Sequence, residues 1–221
     1  MKTFTHNTEF FKQIDNEDKA YWLGFICADG YLNKRGNTVG ICLDISDISH
    51  LEKFKKSISY TGNIFTRKSQ FSENHRITEK AVIEIYSGNL SKDIEKYGVD
   101  YQKSYSLSTI INIPNDLMHH FIRGVFDGDG CLFYQNGKKE THNISPGITI
   151  VGTENFLNFI SKYIPDIPKS LRFDKRTKST YTLYLKSIKR YKRFTDYIYK
   201  DATIYLDRKF KKHQDILSKI K

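Results

Sequence analysis

Trp22–Gly30 reads WLGFICADG, and one hundred residues later Ile122–Gly130 reads IRGVFDGDG. Both stretches carry Gly, two apolar residues, a variable position, a small residue, Asp and Gly in one register. Gly24 and Ala28 stand four apart, as do Gly124 and Gly128, so on a helix the small residues stack along one face and let two helices approach closely. The closing Gly30 and Gly130 suit the left-handed conformation that ends a helix, which places Asp29 and Asp129 at helix C-termini. A carboxylate there meets the negative end of the helix dipole, at a cost of a few tenths to about 1 kcal/mol, and two of them together repel. Divalent cations offset both effects, and Mg²⁺ suits a few carboxylates joined by backbone carbonyls, waters and phosphate oxygens. An isolated Asp-Gly-Asp-Gly is ordinarily a turn. An EF-hand is excluded, because Cys131 and Lys138 fall at the fifth and twelfth loop positions. Two copies in register are not explained as two unrelated turns.

The repeat extends outward from the motif. After the first copy come strand-like Tyr31–Lys34 and Val39–Ile45, then a helical stretch Ser49–Ile58 with Leu51, Phe54 and Ile58 on one face. After the second come Cys131–Tyr134 and Gly147–Val151, then Glu154–Tyr163 with Phe156, Phe159 and Tyr163 at the same spacing. Each half offers two more short strands, near Asn63–Arg67 and Val82–Tyr86, and near Ser170–Phe173 and Tyr181–Leu185. A further helix follows in each, with Ser87 as N-cap before Leu90–Tyr97 and Ser187 before Ile188–Tyr199. Both halves therefore read αββαββα, joined by a linker around Ser106–Asn115.

The 221 residues carry 38% hydrophobic and 28% charged side chains, enough for a self-sufficient core. Folding a chain of this length buries roughly 70% of its unfolded surface. No segment approaches the roughly 20 apolar residues of a membrane span. Met1–Phe11 lacks a basic stretch followed by an apolar run, so no cleaved leader and an intracellular location are expected. Cys27, Cys42 and Cys131 have no C-x-x-C spacing and read as free thiols. The formal net charge of +11 points to a polyanionic partner, nucleic acid ahead of an anionic membrane surface. Residues 1–112 hold 15 basic against 14 acidic side chains and residues 113–221 hold 21 against 11, so the second half dominates attraction to phosphates.

The paired motif resembles that of the LAGLIDADG homing endonucleases, matching it in both copies at the Gly, the second Asp and the final Gly. The resemblance covers essentially the whole chain. It implies an α+β fold of two pseudo-twofold-related αββαββα halves, residues 1–112 and 113–221, whose saddle-like antiparallel sheets lie along the DNA major groove. It implies that Asp29 and Asp129 bind catalytic Mg²⁺ or Mn²⁺, with the backbone carbonyls of Ala28 and Gly128 as further ligands. Cys27 departs from the pattern where Asp127 keeps it, at a position that is usually structural in the family. The resemblance also implies an active-site lysine in each half, Lys103 and Lys209, with Arg208 as a rival to the latter. A third polar position, after the second strand, orders water in the family. Asp47 matches it, whereas the second half has Gly152 and Thr153 there; Asp47 equally suits a plain helix cap before Ser49.

The activity so implied is a double-strand break with short 3′ overhangs at a long asymmetric DNA site, made by a monomer with one half serving each strand. The termini, Met1-Lys2 and Ile220-Lys221, lack an intein's splicing residues, which favours a free-standing or intron-encoded mobile-element enzyme. Groove contacts are expected from Asn33, Lys34, Arg35, Asn37, Arg67, Lys68, Gln70 and Arg76 in the first half. In the second they are expected from Tyr134, Gln135, Asn136, Lys138, Lys139, Arg172, Lys175, Arg176 and Lys178. The rival readings on the same fold are a maturase binding host intron RNA and a non-catalytic DNA-binding protein. Retention of both motif aspartates favours the nuclease.

Overall fold

The computed structural model describes residues 4–33, 35, 37–70, 77–110, 112–136, 144–166, 171–173 and 180–220. The first half runs α1 (Glu17–Ala28), β1 (Gly30–Asn33), β2 (Thr38–Asp44), α2 (Ile48–Ser57), β3 (Phe65–Gln70), β4 (Ile77–Tyr86), α3 (Gly88–Lys96) and a single turn, α4 (Lys103–Ser106). The second runs α5 (Met118–Asp129), β5 (Gly130–Asn136), β6 (Ile144–Gly152), α6 (Glu154–Ser161), β7 (Leu171–Phe173), β8 (Tyr181–Lys186), α7 (Ile188–Ile198) and α8 (Asp207–Lys219). The two sheets are antiparallel and share one topology, β1-β2-β4-β3 and β5-β6-β8-β7. Among the described residues no helix is long and apolar enough to cross a membrane.

The repeat in the sequence is a repeat in space. Helices α1 and α5 pack on each other more extensively than any other pair of elements. Every residue from Ala20 to Cys27 is buried, because α1 is covered by α5 on one side and by its own half on the other. The glycines set the approach. A Cβ on Gly24 would run into the carbonyl of Phe121, and one on Gly124 into the carbonyl of Tyr21, so each backbone lies directly on the other. Nearer the C-terminal ends, Gly128 lies against Ala28.

Gly30 and Gly130 are not the left-handed helix stops that their position suggests. Gly130 is extended, with φ −91° and ψ 158°, and among the described glycines only Gly98 has a positive φ. Both glycines instead open a strand that folds straight back over the last helical turn. A Cβ would strike the backbone of Ile26 at Gly30, and the carbonyl and ring of Phe126 at Gly130. Close approach, not φ, is what demands glycine there.

Two further differences from the sequence reading have physical causes. β4 begins at Ile77 rather than near Val82, because its first residues pair with β3 beyond the end of β2, where both faces are wet and hydrophobic alternation vanishes. α8 escaped the apolar-periodicity reading because its buried face is made by Lys209, His213 and Ile216. The caps at Ser87 and Ser187 are as expected, accepting from the amides of Leu90 and Arg190.

The approach to α8 is held by polar groups from both motif helices. Glu17, at the start of α1, accepts from Arg123 Nη2 at 2.5 Å and from the amides of Thr203 and Ile204. Arg123 is fully buried in α5 and donates onward to the carbonyls of Ile198 and Ile204. Tyr21 donates to Asp127 at 2.7 Å, and the same carboxylate oxygen takes the amide of Leu206 at 2.8 Å. His50 Nε2 lies 2.9 Å from the Tyr21 hydroxyl, which already donates to Asp127, so the neutral ring is the donor there.

Alanine at Gly124 should force the helices apart and destabilise the protein by about 1–3 kcal/mol or more. Gly88→Ala, whose new methyl meets nothing closer than 3.9 Å in the first turn of α3, should be neutral or stabilising by up to about 1 kcal/mol. Urea denaturation checks both, and equal effects at the two sites would contradict the packing argument. Burial, followed by the charges of Lys53, Arg208 and Lys209, pushes His50 down to about 3. The unfolded chain then binds the extra proton, so stability present above about pH 6.5 is lost as the pH falls toward 3. Thermal melts should show a steeper acid loss for the wild type than for His50→Gln; parallel pH profiles would refute the assignment.

Candidate active site

The C-terminal ends of α1 and α5 meet between the two sheets and bring Asp29 and Asp129 together. Neither helix has a basic residue in its last turn. The cations come instead from distant chain. Lys103, on the turn α4, donates to the carbonyl of Cys27 at 2.9 Å and to that of Ala28. Lys209, on α8 and only 6% exposed, donates to the carbonyls of Phe126, Gly128 and Gly130 at 2.8, 3.2 and 2.5 Å. Each ammonium thus caps the C-terminal end of its own half's motif helix, offsetting the negative dipole end to which the carboxylate adds. The lysines matched by sequence position are equivalent in space. Arg208, the rival to Lys209, turns away to Asp47, with Nε 2.7 Å from Oδ2.

The electrostatics follow from this crowding. Burial pushes Asp129 up to about 6, and the charge of Asp29 adds to it, while Lys103 and Lys209 pull the other way. Burial also raises Asp29, against the same two lysines and Arg208. Asp129 keeps its outer edge open to solvent even though protein crowds its other sides. Burial pushes Lys209 down to about 8 and lowers Lys103 as well. Among the described residues no protein donor reaches the carboxylate of Asp29 or Asp129. No group of three or more His, Cys, Asp or Glu side chains converges among them either. Two unpaired carboxylates facing each other fit a divalent cation completed by waters or phosphate oxygens. The carbonyls of Ala28 and Gly128 already accept from the lysines, and each retains a second lone pair.

Asp127 and Cys27 occupy equivalent positions but do different things. Asp127 is fully buried, pushed up to about 6 by that burial, and ties Tyr21 to Leu206. Cys27 is buried too, and its thiol is held up at about 12. It lines a cleft of about 200 Å³ beside Asp129, with Lys103, Thr153 and Thr180.

The open faces of the sheets divide the expected groove residues. Val39, Ile41 and Leu43 of β2 face the helices, so Gly40, Cys42 and Asp44 face outward, and their register partners Tyr31, Lys80, Val82 and Glu84 lie on the same side. Asn33 and Arg67 share that face, Arg67 reaching Cys42 Sγ at 3.4 Å. Arg35 and Asn37 sit exposed in the β1–β2 turn. Gln135 is exposed on the open face of the second sheet, since Leu132, an odd number of strand positions away from it, faces the helices. Lys68 and Tyr134 fall on the opposite parity. Lys68 lies across from Glu79, and Tyr134 packs under Lys219 of α8, whose Nζ is 4.8 Å from the ring centroid. Lys34, Arg76, Lys138, Lys139, Lys175, Arg176 and Lys178 lie outside the described residues, as do the side chains of Gln70, Asn136 and Arg172. Sequence reasoning missed Glu84 on the open face, whose carboxylate takes the Tyr31 hydroxyl at 2.5 Å. Strand alternation alone would have pointed to it.

No family model matches the sequence. An uncharacterized protein of Methanocaldococcus jannaschii is 26% identical over 130 residues, and the match takes in 57% of this chain but only 46% of that protein's length. Among solved structures, the LAGLIDADG meganuclease I-AabMI bound to uncleaved DNA superposes with a TM-score of 0.61 at 15% identity, covering 92% of this chain and 90% of that one. The LAGLIDADG homing endonuclease I-GzeII in complex with its DNA target gives 0.61 at 14% identity, with 90% and 88% covered. I-LtrWI bound to target DNA gives 0.58 at 12% identity, with 96% and 91% covered.

Replacing Asp129 by Asn removes one of two facing charges. Without divalent ions at pH 8 the variant should melt above the wild type, by about 1 kcal/mol or less because the outer edge of Asp129 is solvated. A lower melting temperature would show that the two carboxylates do not strain the metal-free protein.

Proposed function

We propose that this chain, which has the fold of the LAGLIDADG homing endonucleases, is a site-specific double-strand DNA endonuclease working with Mg²⁺ or Mn²⁺. The observation that carries the reading is the pair of carboxylates, Asp29 and Asp129, facing each other without protein donors at the meeting point of two helices and two open sheets. A net charge of +11 supports a polyanionic substrate, and solved neighbours of this fold were determined on DNA. The chain would act as a monomer on a long asymmetric site, one half per strand, and leave short 3′ overhangs.

Each part of the site has a role in hydrolysis. Asp29 and Asp129 would hold the divalent cation, which supplies Lewis-acid stabilisation of charge building on phosphate and leaving oxygen. Lys103 and Lys209 set fixed positive charge beside both carboxylates, where it stabilises the charged phosphate without rearrangement during the reaction. Tyr21 and Asp127 hold the segment that delivers Lys209. Arg67, Asn33 and Gln135 on the open faces would meet base edges or phosphates.

The test is cleavage of a randomised DNA library in Mg²⁺, with sequencing of the cut ends. The wild type should yield one preferred sequence, and Asp29→Asn and Asp129→Asn should abolish double-strand cutting while still binding that duplex. Mg²⁺ should raise the melting temperature of the wild type and not of either variant. Unchanged cutting by both variants would sink the assignment of the site.

A further inference from the structure

Helices α3 and α7 hold equivalent places in the two halves, each starting at a serine N-cap after the last strand of its sheet. Their charges do not match. Residues 186–200 carry six basic side chains against one acidic, whereas their counterparts, residues 86–100, carry two against three. That one difference supplies six of the nine net charges by which the second half exceeds the first. Counted from the caps, Asn89 is replaced by Lys189, Leu90 by Arg190 and Asp93 by Arg193. Tyr191, Phe194 and Ile198 bury the inner face of α7. Lys189, Lys192 and Arg193 are exposed on its other side, with exposed Lys186 before them and Lys200 after.

Stability does not ask for this charge. Lys189 and Arg190 sit in the first turn, against the positive end of the helix dipole, and Lys189 repels Lys192 and Arg193 at i+3 and i+4. Relief is partial, because Asp166 binds Arg193 at 2.5 Å and stands 3.9 Å from Lys189, one carboxylate serving two cations. Among the described residues Lys186, Arg190, Lys192 and Lys200 make no ion pair. In α3, by contrast, Lys96 is held by Asp93 at 2.6 Å, so the same place in the fold is filled without an excess of charge. A duplex on the open sheets does not explain the excess either. α7 packs on the helix side of β6 and β8, where Ile148, Ile150, Leu183 and Leu185 are buried, so the sheet itself stands between α7 and the open face.

We propose that the exposed face of α7 is a second DNA-binding site, which takes the phosphates of a duplex segment other than the one on the open sheets and does so without regard to sequence. The inference goes beyond the nuclease reading and rests on it only for the first duplex. The chemistry of the face fits a duplex backbone. Lys189, Lys192 and Arg193 present flexible cations along one side of a helix, which suits phosphates and carries no base readout. The two aromatic rings interleaved with them, Tyr191 and Phe194, are fully buried. Single strands, which are held by stacking unpaired bases on exposed rings, therefore find no platform among these residues. Phosphate contacts form and break by exchange with counterions, so a protein holding two stretches of DNA can pass from one to the other while it searches.

The test is capture of a second duplex. A short immobilised duplex, of the sequence selected from the library or of any sequence if none is selected, is saturated with the protein without divalent ions. It is then washed and offered a labelled duplex of unrelated sequence. The wild type should retain the label, and Lys189→Gln, Lys192→Gln and Arg193→Gln combined should lower retention by about tenfold or more. Lys92→Gln with Lys96→Gln on α3 should leave it unchanged. Glutamine keeps the helix propensity of lysine and arginine, so binding of the first duplex and the melting temperature should hold in every variant. Raising salt from about 50 to 200 mM should cut retention by about 10²-fold, as expected for about four phosphates. Retention that survives the triple substitution or the salt, or that favours an RNA hairpin or a single strand over the duplex, would overturn the inference. A protein that cuts its site but captures no second duplex would sink this inference and leave the nuclease standing. One that captures through α7 and cuts no library member would do the reverse.

Discussion

Backbone contact between α1 and α5 is the constraint on which everything else rests. With Gly24 over the carbonyl of Phe121 and Gly124 over that of Tyr21, the two helices touch main chain to main chain. That contact brings the two helix C-termini near enough for the charge of Asp29 to act on Asp129. The same closeness creates an electrostatic problem, since two negative helix ends and two carboxylates converge in one place. The chain answers with Lys103 and Lys209, brought from outside the motif helices onto their last carbonyls. Packing at the seam and chemistry at its end are one feature seen at two distances.

The polar interior is organised around delivery of α8. Glu17 and Arg123 hold residues 203–204, Asp127 holds Leu206, and Lys53 holds the carbonyl of Tyr205 and the side chain of Asp207. Burying a charge such as Arg123 is costly unless every donor is matched, and here Nε, Nη1 and Nη2 all find acceptors. The result is a rigid segment ending in Arg208 and Lys209. A site lysine with such support keeps its place without help from DNA.

The fold was legible because the repeat was legible: Gly24 with Ala28, and Gly124 with Gly128, announce a close helix pair before any strand is assigned. The repeat also singled out Asp29 and Asp129 as counterparts, whereas Lys103 and Lys209 came from the family resemblance, and the structure sets both lysines on the last carbonyls of α1 and α5. What the sequence hid was whatever lacked a counterpart or a periodic signal. α8 buries Lys209 and His213 where a pattern search looks for Leu or Ile. Gly30 and Gly130 signalled a conformational exception and turned out to answer a steric one. Whether Asp47 caps α2 could be decided only by where its carboxylate points. On the open faces, composition could name Tyr134 and Lys68 but only register could show which side of the strand they occupy.

The halves that look interchangeable in sequence are mechanically interleaved. Glu17, Tyr21, Asp47 and Lys53, all from the first half, bind residues 203–208 at the end of the second; for Tyr21 the link runs through Asp127. The modular boundary for recombination therefore does not fall at the linker near residue 112. A chimera that exchanged the second half wholesale would discard the segment shaped to fit the first. One that retained residues 198–220 with the first half would carry a matched set, apart from what Arg123 and Asp127 contribute from α5. In this architecture the unit of exchange is a discontinuous one, and the C-terminal helix belongs functionally to the start of the chain.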